Sequence, residues 1–104
     1  MTTPTLLVVS LWIREGRVAE FEAYERKAAR IMKQYGGVIE RAVRVESGSS
    51  SDQPFEVHLV SFPSQSMFDA YRDSAESKAL SNEREAVVAK TLVLAGTSGP
   101  AYST

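Results

Sequence analysis

The order in which two hydrophobic periods follow one another along the chain leaves few folds open. Thr5 to Ile13 (TLLVVSLWI) is a short apolar, partly β-branched run that Gly16 ends, and it predicts a strand. From Arg17 to Tyr35 the period changes. Val18, Phe21, Tyr24, Ala28, Ile31, Met32 and Tyr35 recur at helical steps, and Gly36-Gly37 follows as a left-handed stop. Val38 to Glu46 and Pro54 to Phe62 both alternate, so they read as two antiparallel strands joined by the Ser-rich stretch Ser47 to Gln53. Ser64 is placed as the N-cap of a second helical region carrying Met67, Phe68 and Tyr71. Ser74 offers a second cap after a kink, for a helix carrying Ala79, Leu80, Val87 and Val88 toward Lys90. Thr91 to Ala95 is the last strand. From about residue 97 the chain is small, polar and broken by glycine and proline, and is expected to be a flexible tail.

Strand, helix, strand, strand, helix, strand is the βαββαβ order of a ferredoxin-like α+β sandwich, a four-stranded antiparallel sheet with helices on one face. A length of 104 residues, 43% hydrophobic and 24% charged, suits one such domain over 1–104. Twelve basic and 13 acidic side chains are interspersed with no polybasic run, so neither nucleic acid nor a membrane surface is an expected partner. The apolar run at the start is too short to span a bilayer. The absence of cysteine excludes disulfides and thiolate chemistry, and a cytoplasmic setting is expected.

Strand side chains alternate faces, so odd and even positions can be separated. Odd positions (Leu7, Val9, Leu11, Ile13, Ile39, Val43, Val45, Phe55, Val57, Leu59) are nearly all apolar and are expected to face the helices. Even positions mix Ser10, Trp12, Arg14, Glu40, Arg44, Glu46, Glu56 and His58 with Leu6, Val8, Val38, Val60 and Phe62, the composition of an interaction or ligand surface. Arg41 and Ser61 break the pattern, which places them at strand ends or beside a bulge.

The segments GRVAEFEAYE, YGGVIERAVR, PFEVHLVSFPS and MFDAYRDSAESKAL resemble the dimeric α/β-barrel superfamily, in its small branches known only as domains of unknown function. The resemblance spans nearly the whole chain and implies a homodimer in which two sheets pack face to face into a barrel. Relatives in that superfamily include cofactor-independent monooxygenases, lactone isomerases, haem-handling proteins and ligand-sensing domains, and shared fold does not choose among them. Many members of the nearest branch carry an acidic residue before the phenylalanine of strand three, where this chain has Ser61.

His58, the single histidine, is the leading acid/base candidate, because imidazole is the side chain whose ordinary pKa lies nearest neutrality. Glu56, two residues away on the same face and roughly 6.6 to 6.8 Å along the strand, is the group that would orient it. A hairpin closing around Ser50 sets Arg44 opposite Glu56, Ala42 opposite His58 and Glu40 opposite Val60. Trp12, Arg14 and Ser10 from strand one are expected on the same cavity wall, where with Glu40 and Arg44 they would bind a small aromatic or anionic molecule. The competing reading is a filled barrel in which His58 and Glu56 are merely hydrogen-bonded, Arg44 is a plain ion pair and Trp12 anchors the dimer. One histidine with scattered carboxylates makes no metal set, a haem ligand has no further support, and no cofactor is required. GxGxxG, P-loop and GxSxG motifs are absent, so neither nucleotide binding nor serine-hydrolase chemistry is indicated.

Overall fold

A computed structural model describes residues 3–46 and 52–103. Its elements run β1 (Thr5–Ile13), α1 (Val18–Lys33), β2 (Val38–Arg44), β3 (Glu56–Phe62), α2 (Gln65–Asp73), α3 (Ala75–Ala79), α4 (Ser81–Val87) and β4 (Val88–Gly96). The four strands form one antiparallel sheet in the order β2-β3-β1-β4, the ferredoxin-like arrangement with its helices on one face. No helix among the described residues is long and apolar enough to cross a membrane.

Helix α1 closes where the sequence places its stop. Gly36, at φ 76°, follows the last turn. Its N–H reaches the Lys33 carbonyl at 3.1 Å while the Gly37 N–H reaches that of Met32 at 3.0 Å, the paired bonds of a Schellman motif. Gly37 is required for a different reason: a Cβ there would run into Met32 and lie 2.5 Å from Phe62 Cε1. Ser64 caps α2 through its hydroxyl, which accepts from the Met67 N–H at 3.2 Å. Ser74 likewise accepts from the Ser77 N–H at 3.1 Å and divides α2 from α3. The third helical stretch ends earlier than predicted. Val88 opens β4 instead of closing a helix, and its β-branched side chain, like that of Val87, is buried against Leu11, Phe21, Tyr24 and Ala28. A second cluster joins Leu7, Met32, Val60 and Phe62, with Phe68 and Tyr71 packed on it. Residues 97–103 carry no helix or strand, and most of the Ser47 to Gln53 loop lies outside the described residues.

The face assignment needs correcting in two strands. Odd residues of β1 do face the helices, but β1 pairs with β3 as Leu7↔Val60, Val9↔His58 and Leu11↔Glu56. Partners in a ladder share a face, and these pairs join odd to even numbers. In β3 it is therefore Glu56, His58, Val60 and Phe62 that turn inward, while Val57 and Leu59 turn outward. Phe55, just before the strand, still reaches the core, edge-on to Phe21 at 6.1 Å. In β2, Arg44↔Glu56 and Ala42↔His58 pair as expected, but a register shift between Ile39 and Arg41 replaces the expected Glu40–Val60 pair with Ile39↔Val60. Ile39 thus faces inward and Val43, opposite Val57, outward. Arg41 sits beside this bulge, and Ser61 pairs with Val38 on the outer face.

Candidate functional site

The corrected register carries His58 to the helix side, where its side chain is 5% exposed. Imidazole Nε2 lies 2.6 Å from Glu56 Oε2, a neighbour on the same strand face. The other oxygen, Glu56 Oε1, accepts from Arg44 Nη2 at 2.7 Å and from Nε at 3.1 Å, and Arg44 Nη2 also donates to Glu22 Oε2 at 3.1 Å. Desolvation, the largest single influence on Glu56, pushes its pKa up, but the hydrogen bonds and charges of His58 and Arg44 together hold it below the ordinary carboxylate value. An ionised carboxylate only accepts, so Nε2 carries the proton in this bond. In the neutral imidazole Nδ1 is then the acceptor. It faces Glu25 Oε2 at 3.8 Å, beyond hydrogen-bond length.

Glu25 comes from α1. Burial raises its pKa, with the Glu56 charge adding to the rise and His58 and Arg84 opposing it. His58 and Glu25 stand in the wall of a cavity of about 350 Å³ between the sheet and the helices. Its floor is apolar, formed by Leu7, Val9, Met32, Val60 and Phe62, and its polar lining includes Tyr24, Tyr71 and Arg84. Burial pushes the Tyr24 phenol up to about 12 and raises that of Tyr71, so both remain O–H donors at neutral pH. The site is thus apolar-floored, with one imidazole, one desolvated carboxylate and two phenols turned into it, the usual composition of a small-molecule pocket.

The sequence profile described as "Domain of unknown function (DUF1330)" matches residues 7–97. The chain is a DUF1330 protein. No curated protein matches it. Among solved structures it is similar to a protein of unknown function from Rhodopseudomonas palustris, with 14% identity, TM-score 0.82, and coverage of 97% of this chain and 86% of that one. It is also similar to SnoaB, a cofactor-independent oxygenase from Streptomyces nogalater, with 13% identity, TM-score 0.75, and coverage of 99% and 100%. A dimeric ferredoxin-like protein of unknown function from Thermobifida fusca gives 8% identity, TM-score 0.63, and coverage of 93% and 92%. The likeness is one of fold, and that fold is the ferredoxin-like one that the sequence resemblance implied.

Against this geometry the sequence-predicted residues of the DUF1330 chain divide into two groups. His58, Glu56 and Arg44 come together on the helix side, although Arg44 is engaged with two carboxylates and does not line the cavity. Trp12, Arg14, Ser10 and Glu40 do not join them. Trp12 Nε1 donates to the Asp52 carbonyl at 3.0 Å, with Lys90 Nζ 4.6 Å from the ring centroid. Arg14 Nε donates to the Glu85 carbonyl at 2.9 Å. Ser10 pairs with Val57 on the outer face, and Glu40 at the bulge accepts from the Ser61 hydroxyl at 2.9 Å. The shared wall failed because β1 and β3 put opposite parities on one face. Sequence reading placed Tyr24 and Tyr71 in the apolar helix stripes and did not single out Glu25, Lys78 or Arg84, which also line the cavity. For Glu25 a signal existed: it lies four residues after Phe21, three before Ala28 and seven before Met32, a carboxylate inside an otherwise apolar helical stripe.

Proposed function

We propose that the helix-side pocket binds a small organic molecule and exchanges a proton with it through His58, without a cofactor. The observation that carries this reading is the imidazole fixed at Nε2 by an ionised carboxylate while Nδ1 faces a desolvated carboxylate in a cavity wall. Glu56, steadied by Arg44, orients the ring and selects its tautomer. Glu25 and His58 together offer one position that accepts a proton and one that holds it, the arrangement general acid–base catalysis needs. Proton abstraction and isomerisation require only these groups. Oxygen insertion, the chemistry named for SnoaB, would in addition require dioxygen and an electron-rich ring as co-reactants. The cysteine-free composition fits a cytoplasmic setting.

We also propose that a second copy covers the outer sheet face. Val8, Val38, Val43, Leu59, Leu92 and Leu94 are large, apolar and exposed there, a sheet face that a lone subunit would leave in water. The solved protein described as dimeric and ferredoxin-like supports the same assembly.

The pocket reading is tested by thermal-shift screening of aromatic acids, lactones and quinols on the wild type and on His58→Ala, Glu25→Gln and Glu56→Gln. Stabilising compounds are then followed by NMR for deuterium uptake from solvent. A ligand should raise the wild-type melting temperature, since selective binding to the folded state does so. Deuterium should enter it, and His58→Ala should abolish uptake. Binding that depends on His58 without any exchange would make this a binding protein only. Ligand responses indifferent to all three substitutions would remove the site.

A further inference from the structure

Three cations line the cavity, and they are not equivalent. Arg72 is committed: Nη2 lies 3.2 Å from Asp69 Oδ1, Nε 3.5 Å from Asp73 Oδ1, and the guanidinium carbon 5.5 Å from the Phe68 ring centroid. Arg84, from α4, donates through Nη2 to a neutral oxygen, Thr91 Oγ1, at 2.6 Å. Among the described residues no carboxylate lies within ion-pair reach of it, yet its charge acts on Tyr24, Tyr71 and Glu25 across the cavity. Lys78, from α3, is exposed, and its side-chain ammonium has no hydrogen bond or ion pair with another described residue. Two cations without counter-ions therefore stand over an apolar floor.

Resting on the pocket reading above, we infer that the ligand is an organic carboxylate with a compact apolar body, its carboxylate held by Arg84 and Lys78 and its body lying on Leu7, Met32 and Phe62. Guanidinium presents paired N–H donors that match both carboxylate oxygens, and Lys78 adds a point charge on a flexible stem. Burial shifts Glu25 toward its neutral form, which weakens its repulsion of a bound anion. The phenols of Tyr24 and Tyr71 are uncharged donors. Among the groups facing the ligand, charge is thus positive at one end, and the proton-transfer pair, His58 with Glu25, lies beneath the body.

Isothermal titration with 1-naphthoate and its neutral isostere 1-naphthamide tests the inference on wild type, Lys78→Met, Arg84→Met and Arg84→Lys. Both positions are exposed, and circular dichroism confirms that each variant folds. Naphthoate should bind the wild type at least about tenfold more tightly than naphthamide, as expected for a hydrogen-bonded charged group. Arg84→Met should remove most of that preference, Arg84→Lys should restore part of it, Lys78→Met should reduce it, and added salt should weaken naphthoate alone. Equal binding of the two compounds, sensitive to His58→Ala but not to the cations, would overturn the carboxylate assignment and leave the pocket reading intact. Failure of both compounds to bind would overturn this inference, while deuterium uptake by a lactone or quinol would still sustain the pocket reading.

Discussion

Two carboxyls from two elements flank His58, Glu56 at 2.6 Å and Glu25 at 3.8 Å, and the bonded partners of one and the burial of the other set opposite pH dependences. Glu56 has a folded-state pKa below its unfolded value, so its contribution to stability is full above the ordinary carboxylate pKa and is lost as pH falls through the lower folded value. Glu25 has the reverse sign. Its folded-state pKa is raised, so the native state binds the extra proton and stability is lost as pH rises from the ordinary value of 4.5 toward the raised one. Thermal melts across pH 3 to 8 should therefore show Glu25→Gln gaining on the wild type as pH rises through that window. Glu56→Gln should fall behind the wild type above it and approach it in acid. Parallel curves for wild type and both variants would mean that neither carboxyl is held as described. His58 and Glu56 were legible from sequence because a lone histidine and a carboxylate two apart on a strand announce a shared face. Their destination was not, since which face is inward depends on the pairing register, a non-local property.

Helices and strands were mostly readable because caps and stops are local. Gly36-Gly37, Ser64 and Ser74 all act at the positions where residue chemistry puts them. What local reading could not separate was the end of α4 from the start of β4. Val87 and Val88 suit either period, and burial against α1 decides between them. The turn between α1 and β2 is closely packed, since a Cβ on Gly37 would meet Met32 and Phe62. Gly37→Ala should cost about 1 to 3 kcal/mol, the usual range for overpacking, read as a lower urea midpoint with unchanged slope. Ser64→Ala serves as the internal scale, at about 1 kcal/mol for a lost N-cap. An alanine at 37 without measurable effect would show that Met32 and Phe62 yield freely.

The assembled sheet has two apolar sides with different owners. One is closed by α1 to α4 and holds the pocket. The other exposes Val43, Leu92 and Leu94 to at least 47% or so without a cover of its own. Light scattering of the wild type at micromolar concentration should give twice the mass of the 11.4 kDa chain. Leu94→Lys, at the most exposed of these apolar sheet positions, should shift it to the single mass, because a charge buried without a partner in an apolar contact is strongly unfavourable. A wild type that stays monomeric would remove the proposed assembly without touching the pocket, whose strand residues Leu7, Val9, His58 and Val60 lie on the opposite side of the sheet from Val43, Leu92 and Leu94.

That separation has an evolutionary reading. Each strand residue points to one side only, so on the two proposals above a substitution that retunes the proposed ligand site need not disturb the proposed pairing, and one that changes the pairing need not alter the site. Neutral drift on either side is then unconstrained by the other. On the two proposals above, such a chain would diversify its ligand and its oligomeric partner as independent traits, and mixed pairs of diverged copies would carry two pockets of different preference in a single particle.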